Sequence, residues 1–121
     1  MREKIVELVA LGPLIPETDE SLEGEKLLKR QDELVRALAP MRPASDEEAC
    51  SLVTVFGADD SFGLAWSVLH FIETAPNWPV EDCAQRTSSE FWRQKLVERY
   101  SDREALLEAR TSRDPARRGE R

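Results

Sequence analysis

Residues 61–75 constrain the fold more than any other part of the chain, because they are apolar on nearly every side of a helix. At 3.6 residues per turn, their apolar side chains occupy two faces rather than one. One face carries Phe62, Ala65, Trp66, Leu69 and Ile72, and the other carries Leu64, Val68, Phe71 and Ala75. Such a helix has to be packed on more than one side. The segment is therefore predicted to be the central helix of a folded core.

Helical spacing recurs on both sides of this segment. Residues 1–11 and 25–39 each place their apolar side chains on one stripe, and Gly12 and Pro40 end these stretches. Three capping boxes of the form Ser/Thr-x-x-Glu precede further apolar stretches, and they begin at Ser45, Thr87 and Ser101. These signals predict a helix after each box.

Residues 52–56 (LVTVF) are the one stretch that also fits a short buried strand. The capping box before them and Gly57 after them favour a helix. No sustained alternating pattern and no Asn-Gly or Asp-Gly hairpin occurs in the sequence. We therefore expect an all-α fold.

The connections between the predicted helices indicate their arrangement. Links of about 4–6 residues favour antiparallel neighbours. Five or six short antiparallel helices fit either an irregular bundle or a short HEAT-like helical stack, and the sequence shows no clean internal period. A single helical domain is expected over residues 1–110. Residues 111–121 contain no large apolar side chain and are expected to form a disordered basic tail.

Acidic residues outnumber basic ones by 24 to 17, and the net charge is −7. This balance argues against general nucleic-acid binding and against a polybasic membrane-surface protein. No run of apolar residues approaches the roughly 18–20 needed to span a bilayer, and residues 1–11 carry too many charges for a signal peptide. We therefore expect a cytoplasmic protein. The charge is uneven, because residues 1–60 alone hold 14 acids and 7 bases.

Few residues combine into a pattern that carries chemistry. Cys50 and Cys83 lack metal-ligand spacing and are expected to be buried thiols that act as small apolar groups. Asp59 and Asp60 precede the central helix and could contribute to a cation site. Alternatively, one of them or Ser61 caps the helix, and the other interacts favourably with its positive N-terminus. This alternative is favoured, because a cation needs more oxygen ligands than two adjacent carboxylates supply.

A histidine and a carboxylate stand three residues apart on the central helix. His70 and Glu73 share one face there, so they could serve as a general base and its orienting group. Ser67 is the nearest nucleophile, but it lies mid-helix without the sharp turn that exposes a catalytic serine. A structural histidine is therefore favoured. The expected protein is not an enzyme and needs no cofactor or metal.

Trp78 stands in a proline-rich loop, next to Pro79. A tryptophan held in such a loop either fills the core or serves as an anchor for a partner, since aromatic side chains are enriched at binding hot spots. Both alternatives remain open from the sequence.

The central helix and a later helix together resemble small all-helical immunity proteins of bacterial polymorphic-toxin systems. In that pattern an aromatic residue precedes Leu-His-x-Ile-Glu, and a later helix carries Trp, Leu and Arg. The matching residues are Ala65, Trp66, Leu69, His70, Ile72, Glu73, Trp92, Leu96 and Arg99. The resemblance covers residues 46–107 and departs from the pattern in the loop over residues 76–79 and in the basic tail.

The resemblance implies a bacterial cytoplasmic protein that binds a cognate toxin domain and blocks it by occlusion, without catalysis. A basic toxin domain would suit the acidic half of the chain, because complementary charge speeds encounter. The candidate partner-binding residues are Glu17, Asp19, Glu20, Glu23, Asp59, Asp60 and Trp78. The alternative is a helical adaptor or regulatory subunit. The chain is expected to be a monomer or a homodimer through its first or last helix.

Overall fold

The computed structural model describes residues 1–79 and 83–99. Within these ranges the chain is all helical and contains no strand, as expected. The α-helices are α1 (Glu3–Ala10), α2 (Leu22–Arg36), α3 (Asp46–Leu52), α4 (Leu64–Ile72) and α5 (residues 90–99). Short 3-10 helices cover Ala39–Met41, Val53–Val55 and Cys83–Arg86.

The helices form a small bundle in which α4 is central, as its apolar sequence predicts. Helix α4 packs against both α2 and α3, and α1 also contacts α2 and α3. Its residues Ala65, Val68, Leu69 and Ile72 are completely buried. No helix in the described ranges is long and apolar enough to cross a membrane.

The capping box at Ser45 is present as predicted. Ser45 Oγ accepts from the Glu48 amide at 3.0 Å, and Glu48 Oε1 accepts from the Ser45 amide at 2.9 Å. The helix that follows ends at Leu52 and continues as a 3-10 turn over Val53–Val55, so the ambiguous stretch is helical up to Val55.

Several predicted helix starts are wrong by a few residues. Helix α2 begins at Leu22 rather than residue 25, because Ser21 caps it by accepting from the Gly24 amide. Helix α5 begins at residue 90 with the hydroxyl of Ser89, not that of Thr87, accepting from the Trp92 amide. The box predicted at Ser101 and the tail over residues 111–121 lie outside the described residues.

Helix α4 begins at Leu64, three residues later than predicted. Ser61, Phe62 and Gly63 all have positive φ angles, of 46°, 55° and 87°. This left-handed turn cannot continue into a right-handed helix, so neither Asp60 nor Ser61 is the N-cap; Gly63 is, and its position has no side-chain cap. Phe62, expected to face inward, is instead 58% exposed.

The two cysteines form a disulfide, which corrects the expectation of two thiols. Cys50 on α3 is bonded to Cys83, with their Cα atoms 5.0 Å apart. Both residues are buried. The bond joins α3 to the Cys83–Arg86 turn, which also packs against Val53–Val55.

Candidate functional site

The acidic residues predicted to bind a partner lie mainly on one exposed segment. All seven positions over residues 17–23 are exposed, and this segment contains Glu17, Asp19, Glu20 and Glu23. Its last two residues begin α2, which fixes the direction in which the loop leaves the bundle. The segment therefore presents four carboxylates to solvent within one short stretch of backbone.

Asp59 joins this segment although it lies far away in sequence. Its Oδ2 accepts from the Glu17 amide at 3.0 Å, and its Oδ1 accepts from the Ser61 amide at 2.9 Å. The backbone carbonyl of Asp59 accepts from Trp92 Nε1 at 2.9 Å. Asp59 therefore connects the acidic loop to the turn before α4 and to the buried Trp92 side chain of α5. Asp60 is half-buried, and its carbonyl accepts from the amides of Gly63 and Ala65.

Asp19 holds the local shape of the acidic loop. Its Oδ1 accepts from both the hydroxyl and the amide of Ser21, at 2.7 and 2.9 Å. These bonds, the hydroxyl bond above all, lower the pKa of Asp19 below its ordinary value and keep it anionic. A Cβ at Gly24 would lie 2.6 Å from the same oxygen, so the absence of a side chain there allows the carboxylate to approach α2.

Trp78 lies in the hydrophobic core and is only 9% exposed. Its loop is attached to α3, because Asn77 donates from its amide and from Nδ2 to the carboxylate of Asp46. The side chain therefore fills the core and does not stand at the surface with the acidic loop. Of the two alternatives for Trp78, the structure supports the core-filling one.

His70 and Glu73 lie on one face of α4, as their spacing predicts, but they do not form an isolated pair. His70 Nδ1 is 3.6 Å from Glu73 Oε1, and the imidazole is largely exposed. The carboxylate of Glu73 is bound by Arg99, whose Nε and Nη2 donate to its two oxygens at 3.0 and 2.8 Å. The main partner of Glu73 is thus a guanidinium on α5, and His70 is an exposed histidine that lies beside the same carboxylate.

The residues that carry the immunity-protein resemblance connect α4 to α5. Besides the ion pair between Glu73 and Arg99, the rings of Trp66 and Trp92 meet edge to face with centroids 5.1 Å apart. Trp92 is completely buried and also stacks on Phe56 at 4.8 Å. The matching residues therefore hold two helices together.

Sequence reasoning missed two features of the surface. The first is Leu22, inside the acidic segment, whose side chain is 75% exposed. The second feature is Arg2, which binds the buried carboxylate of Glu48 through Nε and Nη2 at 2.9 and 2.7 Å. Only Leu22 had a sequence signal, as the single large apolar residue in a run of acids.

Across residues 1–79 and 83–99, no group of three or more His, Cys, Asp or Glu side chains is placed to hold a metal ion. Comparisons with protein-family models, with curated proteins and with solved structures found no match to this chain. The functional argument therefore depends on the surface itself.

Proposed function

We propose that this protein is a bacterial immunity protein that binds a cognate toxin domain and blocks it by occlusion, without catalysis of its own. The observation that carries the proposal is the joining of Asp59 to the acidic loop through the Glu17 amide. It places five carboxylates, from Glu17, Asp19, Glu20, Glu23 and Asp59, on neighbouring parts of one surface; Asp60 follows directly in the chain.

The loop is suited to meeting a basic partner. Glu17 and Glu20 are exposed, and their carboxylates make no hydrogen bond to any other described residue. Exposed charges of one sign attract an oppositely charged protein over about a Debye length and orient it before contact. Toxin domains that cleave nucleic acid need cations where the phosphates bind. A carboxylate surface would occupy those cations in place of the substrate.

The loop is also held in shape before a partner arrives. Asp19 bonds Ser21, Ser21 caps α2, and Asp59 bonds the Glu17 amide. A surface that is already ordered loses less conformational entropy when it binds. Preorganisation of this kind favours a slow dissociation rate, which an inhibitor of a lethal enzyme requires.

The cellular compartment belongs to the proposal as well. The sequence favoured the cytoplasm, where an immunity protein would meet an incoming toxin. The bond between Cys50 and Cys83 favours an oxidising compartment such as the periplasm, since disulfides are rare in the cytosol. Cells are quenched in acid, and free thiols are then alkylated under denaturing conditions, because both cysteines are buried in the fold. Two alkylated cysteines indicate the cytoplasm, and none indicates an oxidising compartment.

A co-expression experiment tests the proposal. The toxin domain encoded beside this gene is expressed with the wild-type chain or with the Glu17→Lys/Glu20→Lys variant, and cell survival is measured. Wild type should protect and the variant should not. Glu3→Lys/Glu47→Lys is the matched control, because both glutamates are exposed, lie elsewhere and give the same change in net charge.

Binding of the purified proteins separates this function from the adaptor alternative. Affinity for the toxin domain should fall steeply with added salt for wild type, and less steeply for the loop variant. An affinity that does not change with salt contradicts the charge-based mechanism. A chain that binds some other partner and never protects cells is an adaptor instead.

A further inference from the structure

A groove runs along the exposed side of α2, away from Glu17 and Asp59. Two adjoining pockets of about 410 and 430 Å³ form it, and both are lined by Asp32, Arg36, Phe62 and Leu64. Val35, Leu38 and Ala39 line the first pocket, near the C-terminal end of α2. The groove therefore has an apolar patch at one end, beside Arg42, Ser67 and His70, and charged residues along its length.

The left-handed turn before α4 forms one wall of this groove. Positive φ is unfavourable for a residue other than glycine, and Ser61 and Phe62 adopt it in succession. Ser61 is held there by its hydroxyl, which donates to the Ile15 carbonyl at 2.6 Å. The turn leaves Phe62 more than half exposed, and its side chain lines both pockets beside α2.

The α2 side of the groove carries a regular charge pattern. Five residues spaced three and four positions apart share one face of the helix: Leu22, Glu25, Lys29, Asp32 and Arg36. The acidic member nearest the start is Glu25 and the basic member nearest the end is Arg36. Arg42, which lines the first pocket, adds a second cation at that end.

The charges of this stripe are complementary to those of a second α2 helix that runs antiparallel to the first. In an antiparallel pairing of two α2 helices, Glu25 lies opposite Arg36 and Lys29 lies opposite Asp32. The same register places Leu22 opposite Ala39, at the apolar pocket. Each charged residue of the stripe then faces an opposite charge, in addition to the ion pair that Asp32 and Arg36 form within α2 at 2.9 Å. The exposed leucine faces the part of the pocket formed by Val35, Leu38 and Ala39.

We propose that a second copy of this chain occupies the groove and forms a two-fold symmetric dimer through α2. Each copy inserts Leu22 into the other's pocket at Val35, Leu38 and Ala39 and covers the exposed ring of Phe62. A two-fold interface uses the same patch on both subunits, so the pair of Glu25 and Arg36 occurs twice. The interface adjoins the acidic segment at Leu22 but uses neither Glu17 nor Asp59, and the inference does not depend on the proposed function.

Charge reversal at the two ends of the stripe tests the dimer. Glu25→Lys and Arg36→Glu each place like charges opposite one another at two symmetric positions. Sedimentation equilibrium of the full chain should show a dimer for wild type and a dissociation constant raised about tenfold or more for each variant. When the two variants are mixed, both contacts become attractive again, so a heterodimer should form with an affinity near that of wild type.

Two further variants separate this interface from other causes. Glu47→Lys makes the same charge change on α3 and should leave the dissociation constant unchanged. Leu22→Ala removes the inserted side chain from an exposed position and should weaken the dimer without lowering the unfolding midpoint of the monomer, measured well below the dissociation constant. A wild-type chain that stays monomeric at high micromolar concentration overturns the proposal. So does a dimer that is insensitive to both reversals, or a mixture of the two variants that does not associate.

Discussion

Arg2 and Glu48 form a two-pronged ion pair across 46 positions of sequence, with Nε and Nη2 donating to the two carboxylate oxygens at 2.9 and 2.7 Å. Glu48 also completes the capping box of α3 by accepting from the Ser45 amide. The Glu48 side chain is only 3% exposed, so its carboxylate is buried from solvent. This one carboxylate joins Arg2, just before α1, to α3. The Arg2 guanidinium, together with the Ser45 and Arg2 amides, lowers the pKa of Glu48 to about 2.

This lowered pKa makes stability depend on pH in a defined window. A carboxyl whose pKa falls on folding contributes stability that is fully present above its ordinary value of 4.5 and is lost as the pH falls toward about 2. Glu48→Gln should therefore lower the free energy of unfolding by roughly 3 kcal/mol at pH 7. The difference from wild type should shrink as the pH falls from 5 to 2 in urea titrations. A difference that stays constant over this range would falsify the assignment.

The disulfide predicts a strong effect of reduction. Cys50 and Cys83 are separated by 33 positions, and closing a loop of that size stabilises a fold by about 3–4 kcal/mol through the unfolded chain. Urea unfolding with and without a reductant should show a loss of that size in wild type. The Cys50→Ser/Cys83→Ser variant should match the reduced protein and should not respond to the reductant. Equal stability of oxidised and reduced wild type contradicts the bond.

Trp92 connects the core to the candidate site through its indole N–H. Trp92→Phe keeps a ring that stacks on Phe56 but leaves the Asp59 carbonyl without its donor, which should cost about 1–3 kcal/mol. The control is Trp66→Phe, whose indole is only partly buried and makes no hydrogen bond to another described residue. If the Trp66 variant loses as much stability as the Trp92 variant in thermal unfolding, the bond to Asp59 is unimportant.

Gly24 and Asp19 should show a coupled effect on α2. Gly24→Ala alone pushes the Asp19 carboxylate away from Ser21, which should offset the usual gain from alanine in a helix. In the Asp19→Ala variant the carboxylate that a Cβ at Gly24 would meet is absent, so adding Gly24→Ala should stabilise the protein by about 0.5–1 kcal/mol. A double-mutant cycle of unfolding free energies measures this coupling. Additive effects would show that the close approach has no energetic consequence.

Local signals in the sequence predicted the parts of the fold that depend on neighbours in the chain. The all-α class, the capping box at Ser45 and the central position of the helix over Leu64–Ile72 follow from spacing and caps within a few residues. Helix starts were wrong where competing signals lay close together, as at Ser89 and Thr87. Each hydroxyl is a possible cap, and in the fold it is the Ser89 hydroxyl that accepts from the Trp92 amide, while the Thr87 hydroxyl accepts from the Ser89 amide.

The charge bias of residues 1–60 and the four acidic positions before and at the start of α2 are properties of the sequence alone. Tertiary structure decided which distant groups join them, because Asp59 meets the Glu17 amide only after α4 and α5 pack. It also decided that Trp78 is buried, that Cys50 meets Cys83 and that Phe62 is exposed. A helix-forming pattern reports the conformation of a few consecutive residues, whereas burial and pairing depend on which surfaces the folded chain brings together.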